Sequence, residues 1–117
     1  MAKQPDPKAQ AREKEGQIDG FLEDLRRYAR AFTWRLDSRI GLRGEHPEYR
    51  KLFCPIAAVW FATTGDVLDN GRVFEVADKE MNLRFASLDI AVAADERHES
   101  PLFKRLASAV GLKGQAA

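Results

Sequence analysis

The sequence predicts a mainly α-helical fold: a small single-domain helical bundle around a buried central helix at 55–64, with a short β-hairpin near 34–42. Three observations support this prediction. Apolar residues recur at three- and four-residue steps over 18–32, which places them on one stripe of a helix. No charged residue occurs over 52–65. Apolar and charged residues alternate over 34–43, as they do in a strand with one buried face.

The composition is that of a globular protein. The chain has 117 residues, of which 44% are hydrophobic and 32% charged, so it fits one domain. We expect this domain at 17–112, between a mobile N-terminal tail at 1–16, which can become helical from Lys8 when packed, and a short C-terminal tail at 113–117. A single cysteine cannot form an internal disulfide, and no apolar run approaches the ~20 residues of a membrane span. Residues 1–15 are polar and charged, with no apolar core like that of a secretory signal. We therefore expect a cytoplasmic protein without a membrane partner.

The N-terminal half combines a helix with a hairpin. Each large side chain on the buried stripe of the helix contributes roughly 1.5–3 kcal/mol. The stripe consists of Ile18, Phe21, Leu22, Leu25, Tyr28, Ala29 and Phe32. The hairpin turns at Asp37-Ser38, and its apolar face must pack on helices because an isolated hairpin is marginally stable. That face carries Trp34, Leu36, Ile40 and Leu42, and the other face carries Arg35, Asp37, Arg39 and Arg43.

The central helix is delimited by a proline and a glycine. A single helical turn is expected before it, over 47–53, with Tyr49, Leu52 and Phe53 inward. Pro55 ends that turn, because the residue before a proline avoids the helical region, and it suits the first position of the next helix. Gly65 suits a left-handed cap. The residues between them are almost all apolar, which is typical of a buried helix.

The stretch 66–81 is ambiguous. Asp69-Asn70-Gly71 is compatible with a hairpin turn, whereas Val73, Phe74, Ala77 and Met81 have the spacing of a helix stripe. We expect the helix, at 71–81, with Asn82 as its left-handed stop.

Two more helices complete the bundle. Ser87 is expected to cap a helix at 88–95, with Leu88, Ala91 and Val92 inward. Ser100 and Pro101 are typical of a helix start, which predicts a last helix at 101–110. Its inward residues are Leu102, Phe103, Leu106 and Val110.

The charges are unevenly distributed along the chain. The formal net charge is only +1, yet the segment 26–51 carries +5 and the segment 66–99 carries −5. The simplest interpretation is that these two segments face each other within one fold. The alternative is that they meet external partners.

The basic segment holds the candidate binding residues. Arginine pairs with carboxylates and phosphates in a two-point manner. We therefore expect a small non-catalytic interaction or regulatory protein that binds an acidic protein surface. A second copy of this chain is one candidate for that partner. The candidate residues are Arg26, Arg27, Arg30, Arg35, Arg39, Arg43 and Trp34.

A nucleic acid is the alternative ligand of the same surface. Arginines interleaved with aromatic residues suit backbone contact and base stacking, and Tyr28 and Trp34 lie among these arginines. The pair of helices at 71–81 and 88–95 imitates a helix-turn-helix. However, the second helix has two acidic side chains and no basic one, so it would repel phosphate.

The second alternative is a thiol-based enzyme or redox sensor at Cys54. This residue lies at the start of the central helix, near Arg50 and Lys51, where the helix dipole and the cations favour a thiolate. The opposing interpretation is a buried cysteine that acts as a small apolar residue. The two histidines, His46 and His98, lack a usual ligand spacing. No metal is expected, because one cysteine and two scattered histidines do not have this spacing, and the remaining alternative is a carboxylate site of Asp95, Glu96 and His98. No cofactor is expected, because no phosphate-binding, dinucleotide or nucleophile-elbow motif occurs.

Overall fold

Five α-helices and a three-stranded antiparallel sheet make up the described part of the chain. The structure is a computed structural model that describes residues 6–37, 39, 41–95 and 100–112. The helices are α1 (Pro7–Tyr28), α2 (Pro55–Thr64), α3 (Val73–Lys79), α4 (Ser87–Asp95) and α5 (Pro101–Ala109). The strands are β1 (Thr33–Asp37), β2 (Gly41–Glu45) and β3 (Leu52–Phe53). The predicted fold class, mainly α with a short hairpin, is confirmed.

Helix α2 is the centre of the fold and has the predicted bounds. Pro55 occupies its first turn, and Gly65, with φ of 78°, ends it in the left-handed conformation. The helix contacts α1, α3, α4 and the strands β2 and β3. Its first half is buried, whereas Trp60 and Phe61 in its second half are only partly buried. The second half of α2 therefore borders the surface.

Helix α1 is longer than its apolar stripe. It begins at Pro7 and is capped by Asp6, whose carboxylate accepts the backbone N–H of Lys8 at 3.1 Å, so the stretch 7–16 of the expected tail is helical. The buried residues of α1 come from the predicted stripe. They are Ile18, Phe21, Leu22 and Leu25. A short 3-10 turn, Ala29–Ala31, continues the helix toward β1. No helix within the described ranges is both long and apolar enough to cross a membrane.

The hairpin packs one face on the core, as its alternation predicts. Leu36 pairs with Leu42, and Trp34 pairs with Gly44. Leu42 is fully buried, and Trp34 and Leu36 pack against the core cluster. Arg35 lies on the opposite, exposed face of the sheet. Ile40, predicted for the apolar face, lies outside the described residues.

The single helical turn predicted over 47–53 is wrong at its end. Leu52 and Phe53 form β3, which pairs antiparallel with β2 through Gly44 and Glu45. Phe53 is buried, but Tyr49 is 52% exposed and does not point inward. Two residues of strand carry too little pattern to be distinguished from a turn, and the pairing with β2 decides their conformation.

Three helices follow α2, and the second of them, α4, buries a different face from the one predicted. The stretch 66–81 contains a helix, α3, rather than a hairpin, and Asn82 has φ of 55° as expected of its stop. In α4, Leu88 is 62% exposed and Val92 is 42% exposed, so the predicted inward face is wrong. The residues that α4 buries are Ser87, Ile90, Ala93 and Ala94. The stripe of α3 predicts Phe74 to be inward, but Phe74 is 45% exposed, so this part of the prediction is also wrong.

Helix α5 begins as the sequence predicts. The hydroxyl of Ser100 accepts the backbone N–H of Phe103 at 3.1 Å, and Pro101 follows it in the first turn. The helix packs against α1 and α4. Phe103 and Leu106 are buried, and Arg105 pairs with Glu15 and Asp19 near the middle of α1, so α5 covers that part of α1.

Candidate binding surface: arginines and an aromatic groove

Five of the predicted arginines are exposed on consecutive elements. Arg26 and Arg27 lie in the last turn of α1, and Arg30 lies in the 3-10 turn. Arg35 is on β1, and Arg39 is in the turn between β1 and β2. None of the five forms a side-chain ion pair with another residue that the structure describes. We call these five residues the arginine surface.

Two predicted binding residues are instead engaged within the fold. Arg43 donates to Asp95 at 2.6 Å and to the carbonyl of Leu42 at 2.8 Å, and its side chain is only 15% exposed. The indole N–H of Trp34 donates to the carbonyl of Ala29 at 2.9 Å. Its ring lies over Gly44, where an added Cβ would come within 3.0 Å of ring atoms. Arg43 and Trp34 therefore attach the hairpin to the rest of the protein.

The acidic segment forms its ion pairs mostly without the basic segment. Asp66 pairs with Arg72 at 3.9 Å, Glu75 with Lys79 at 3.2 Å, and Asp78 with Arg84 at 3.1 Å. Asp89 pairs with Lys14 of α1 at 3.0 Å. Among the described ion pairs, only that of Arg43 with Asp95 joins the two segments. Apart from the pair of Arg43 with Asp95, the described residues of the basic segment 26–51 and of the acidic segment 66–99 do not form ion pairs with each other.

An aromatic groove borders the arginine surface. It has a volume of about 510 Å³ and lies between the end of α1, the 3-10 turn and the second half of α2. Arg27 and Arg30, one helical turn apart, contribute to its lining. No carboxylate lines it. The other lining residues are Tyr28, Ala31, Phe32, His46, Phe61, Ala62 and Gly65.

His46 is at the centre of the rings that form the wall of the groove. Its ring centroid lies 4.9 Å from that of Phe61 and 5.4 Å from that of Phe32, with the ring planes at 72° in both pairs. The exposed ring of Tyr49 contacts both His46 and Phe61. Nδ1 of His46 accepts the backbone N–H of Glu48 at 3.2 Å. In the neutral imidazole, Nε2 therefore carries the hydrogen and is a donor.

A second cavity lies on the other side of Arg27. It has a volume of about 550 Å³ and is bounded by α1, α2 and the loop 80–83. Three carboxylates line it, from Glu23, Asp24 and Glu80, and none forms an ion pair in the described part of the chain. The protein thus presents a basic groove and an acidic cavity on either side of one arginine.

Cys54 occupies the predicted cap position of α2, but its environment opposes a thiolate. Its Sγ accepts the backbone N–H of Ala57 at 3.4 Å. Burial raises the pKa of the Cys54 thiol, and this outweighs the N–H of Ala57 and the charge of Arg43, which both lower the pKa. The thiol is thus predominantly protonated at neutral pH, which argues against a nucleophile.

The histidines are not brought together with Cys54 in the described contacts. The ring of His46 contacts Phe32, Tyr49 and Phe61, and His98 lies outside the described residues. No group of three or more histidine, cysteine or carboxylate side chains within the described ranges is arranged to hold a metal ion.

Sequence reasoning identified the arginines but missed the groove. The apolar pattern predicts buried positions for Phe32 and Phe61 in their helices, and nothing in the sequence places His46 beside them. The available signal was the clustering of aromatic residues on both sides of the arginines. No family model, curated protein or solved structure matches this chain. The geometry of the arginine surface and of the groove is therefore what bears on function.

Proposed function

We propose that this protein is a non-catalytic interaction protein that binds an acidic surface of a partner protein through the arginine surface. The observation that carries the proposal is the contrast between two groups of arginines. Arg43, Arg72, Arg84 and Arg105 form ion pairs with described residues. The five arginines between 26 and 39 are exposed and form none with described residues, and they follow one another closely in sequence, whereas the other exposed arginines without a described ion pair, Arg12 and Arg50, stand apart from them. The guanidinium groups of these five arginines remain available for two-point contacts with carboxylates.

A nucleic acid fits this surface less well than an acidic protein does. Single-stranded nucleic acids bind through bases stacked on aromatic side chains next to a basic path. Of the two aromatic residues among these arginines, Tyr28 and Trp34, Trp34 has its ring on Gly44 and its N–H on Ala29. Trp34 is therefore engaged in holding the hairpin and does not offer a free stacking face next to Arg35 and Arg39.

A second copy of this chain is one acidic partner that the proposal includes. The carboxylates of Glu23, Asp24 and Glu80 are unpaired among the described residues and lie next to the arginine surface. Sedimentation velocity at low and high salt measures this self-pairing. Dimers at low salt that dissociate at high salt identify the partner as a second copy, whereas a monomer in both conditions assigns the surface to another protein.

The decisive experiment reverses the charge of the arginine surface outside the groove. Binding of a fluorescein-labelled peptide of alternating Glu and Asp is followed by anisotropy. We expect the double variant Arg35→Glu/Arg39→Glu to weaken binding by more than about tenfold, because two carboxylate contacts of about 1 kcal/mol each become repulsions.

The matched control is Arg12→Glu/Lys104→Glu. Both residues are exposed, on the first half of α1 and on α5, and the double variant changes the net charge equally. We expect it to weaken binding by less than about threefold, through long-range charge alone. Equal losses in the two double variants would show that net charge, and not this surface, governs binding, and the proposal would then be wrong.

A further inference from the structure

We infer that the aromatic groove is the anchor pocket of this interface and takes an apolar side chain, preferably aromatic, that is flanked by carboxylates on an acidic peptide segment of the partner. The inference rests on the proposed function and deepens it. It names an apolar anchor side chain as the feature that distinguishes one acidic partner from another, because the arginines alone do not distinguish between acidic partners.

The size and lining of the groove accommodate a large apolar side chain together with parts of its flanking residues. Its volume of about 510 Å³ lies within the range of pockets that bury small ligands. Its wall is made of the rings of Phe32, His46 and Phe61, which are already fixed by contacts with each other. Interfaces derive most of their affinity from a few anchors, often aromatic, that enter such preformed pockets.

The charges at the groove select an acidic segment. Arg27 and Arg30 line it one helical turn apart, so each can pair with a carboxylate on one side of the anchor. His46, whose Nδ1 accepts the backbone N–H of Glu48, adds a further N–H donor, at Nε2, to the residues that line the groove. Since no carboxylate lines the groove, nothing there repels an acidic peptide. The cavity across Arg27 is lined by Glu23 and Asp24 and would repel the same peptide.

The ring geometry favours a side chain over a nucleobase. A base stacks between or upon exposed ring faces. Here His46 meets Phe32 and Phe61 edge to face, with the ring planes at 72°, so these pairs offer no parallel faces between which a base could insert. A phenylalanine or leucine side chain has no such requirement, because dispersion contacts and loss of hydrated area stabilise it in any orientation.

The test compares two peptides that differ at one residue. Both are fluorescein-labelled acidic 12-mers, one with phenylalanine and the other with alanine at the centre. The wild-type protein should bind the phenylalanine peptide about tenfold more tightly, as expected from burying most of one large apolar side chain.

A groove-filling variant shows whether the difference in affinity between the two peptides arises in the groove. Ala62→Leu adds apolar volume to the lining without a change of charge, and we expect it to remove the preference for phenylalanine while the alanine peptide binds within about twofold of the wild-type affinity. The matched control, Ser108→Leu, adds the same side chain to an exposed site on α5 and should retain the preference.

The outcomes separate this inference from the proposed function. If the wild-type protein binds both peptides equally, the groove is not an anchor pocket, while the arginine surface remains a binding site. If it binds neither peptide, the proposed function fails together with the inference. A 12-nucleotide single-stranded RNA that binds more tightly than both peptides, and that Ala62→Leu weakens, would assign the groove to a nucleic acid and overturn the inference. The comparison of the two peptides on the wild-type protein decides the question even if Ala62→Leu does not fold.

Discussion

Gly41 is the residue at which the backbone of the hairpin meets helix α4. Its φ is 78°, and a Cβ at this position would lie 2.1 Å from the carbonyl oxygen of Ala94. Gly41→Ala should therefore lower the free energy of unfolding by about 3 kcal/mol. The left-handed backbone accounts for about 1 kcal/mol of this loss and the displacement of α4 for the rest. Chemical denaturation, followed by circular dichroism, measures this loss of unfolding free energy.

Gly65→Ala is the matched control for that loss. Gly65 has the same φ of 78°, but a Cβ there would meet nothing within 4 Å. We expect a loss of about 1 kcal/mol, from the backbone conformation alone. Equal losses at the two glycines would mean that the approach of α4 to the hairpin is not a close contact.

Cys54 should react slowly with thiol reagents in the native state. Burial raises the pKa of its thiol, and only the thiolate is nucleophilic. We expect labelling at pH 7.5 to be at least about tenfold slower than that of free cysteine and to accelerate on addition of denaturant. Labelling as fast as that of free cysteine would restore the thiol-enzyme hypothesis.

The same pKa shift links stability to pH. The unfolded thiol loses its proton near its ordinary pKa of 9.0, while the folded thiol keeps it. The folded state then binds more protons, so the contribution of Cys54 to stability is complete below about pH 9 and decreases as the pH rises further. Cys54→Ser retains a cap acceptor and does not titrate, so the wild-type protein should lose stability relative to this variant as the pH rises above about 9.

At the scale of elements, one substitution on each face of helix α4 shows which face is buried. Ile90 is fully buried and Leu88 is 62% exposed. Ile90→Ala should cost about 2–4 kcal/mol of unfolding free energy, because it leaves a cavity in the core. Leu88→Ala should cost less than about 0.5 kcal/mol, as most surface substitutions do. Urea denaturation of the two variants compares them, and the reverse order would support the face predicted from the sequence.

The contrast between α2 and α4 shows what the sequence determines at this scale. Pro55 and Gly65 mark both ends of α2, and its position could be predicted because these residues have only a few compatible backbone conformations. In α4, apolar residues occupy every side, so no polar stripe marks the exposed face. Packing of Ile90 and Ala94 against neighbouring elements decides the orientation, and a single sequence does not contain that information.

The candidate site also has one part that the sequence predicts, the exposed arginines, and one part that it does not predict, the aromatic groove. Exposure of Arg35 follows from strand alternation, and exposure of Arg26, Arg27 and Arg30 follows from their position off the apolar stripe of α1. The groove could not be predicted, because Phe32, His46 and Phe61 come from three separate elements. Each of these residues is equally compatible with a buried core, and only the tertiary structure places them around one opening.

For the whole molecule, the unequal distribution of ion pairs has an energetic consequence. Carboxylates and cations pair along the acidic segment and between α1 and the helices α4 and α5, while the five residues of the arginine surface have no ion-pair partner among the described residues. Like charges that are close together repel each other and destabilise the folded state. If the surface binds a partner as proposed, this repulsion is a loss of stability of the kind that functional sites often carry.

Neutralising the arginine surface should therefore not destabilise the protein. We expect Arg35→Gln/Arg39→Gln to leave the free energy of unfolding within about 0.5 kcal/mol of the wild-type value or to raise it, because no ion pair to a described residue is lost and repulsion decreases. Arg43→Gln should lower it by about 1–2 kcal/mol, since Arg43 is 15% exposed and bonded to Asp95. Denaturation in low and in 0.5 M salt measures both, and added salt should reduce any gain of the double variant through screening. A double variant that loses as much stability as Arg43→Gln would show that Arg35 and Arg39 stabilise the fold, which would remove the main argument for a binding role.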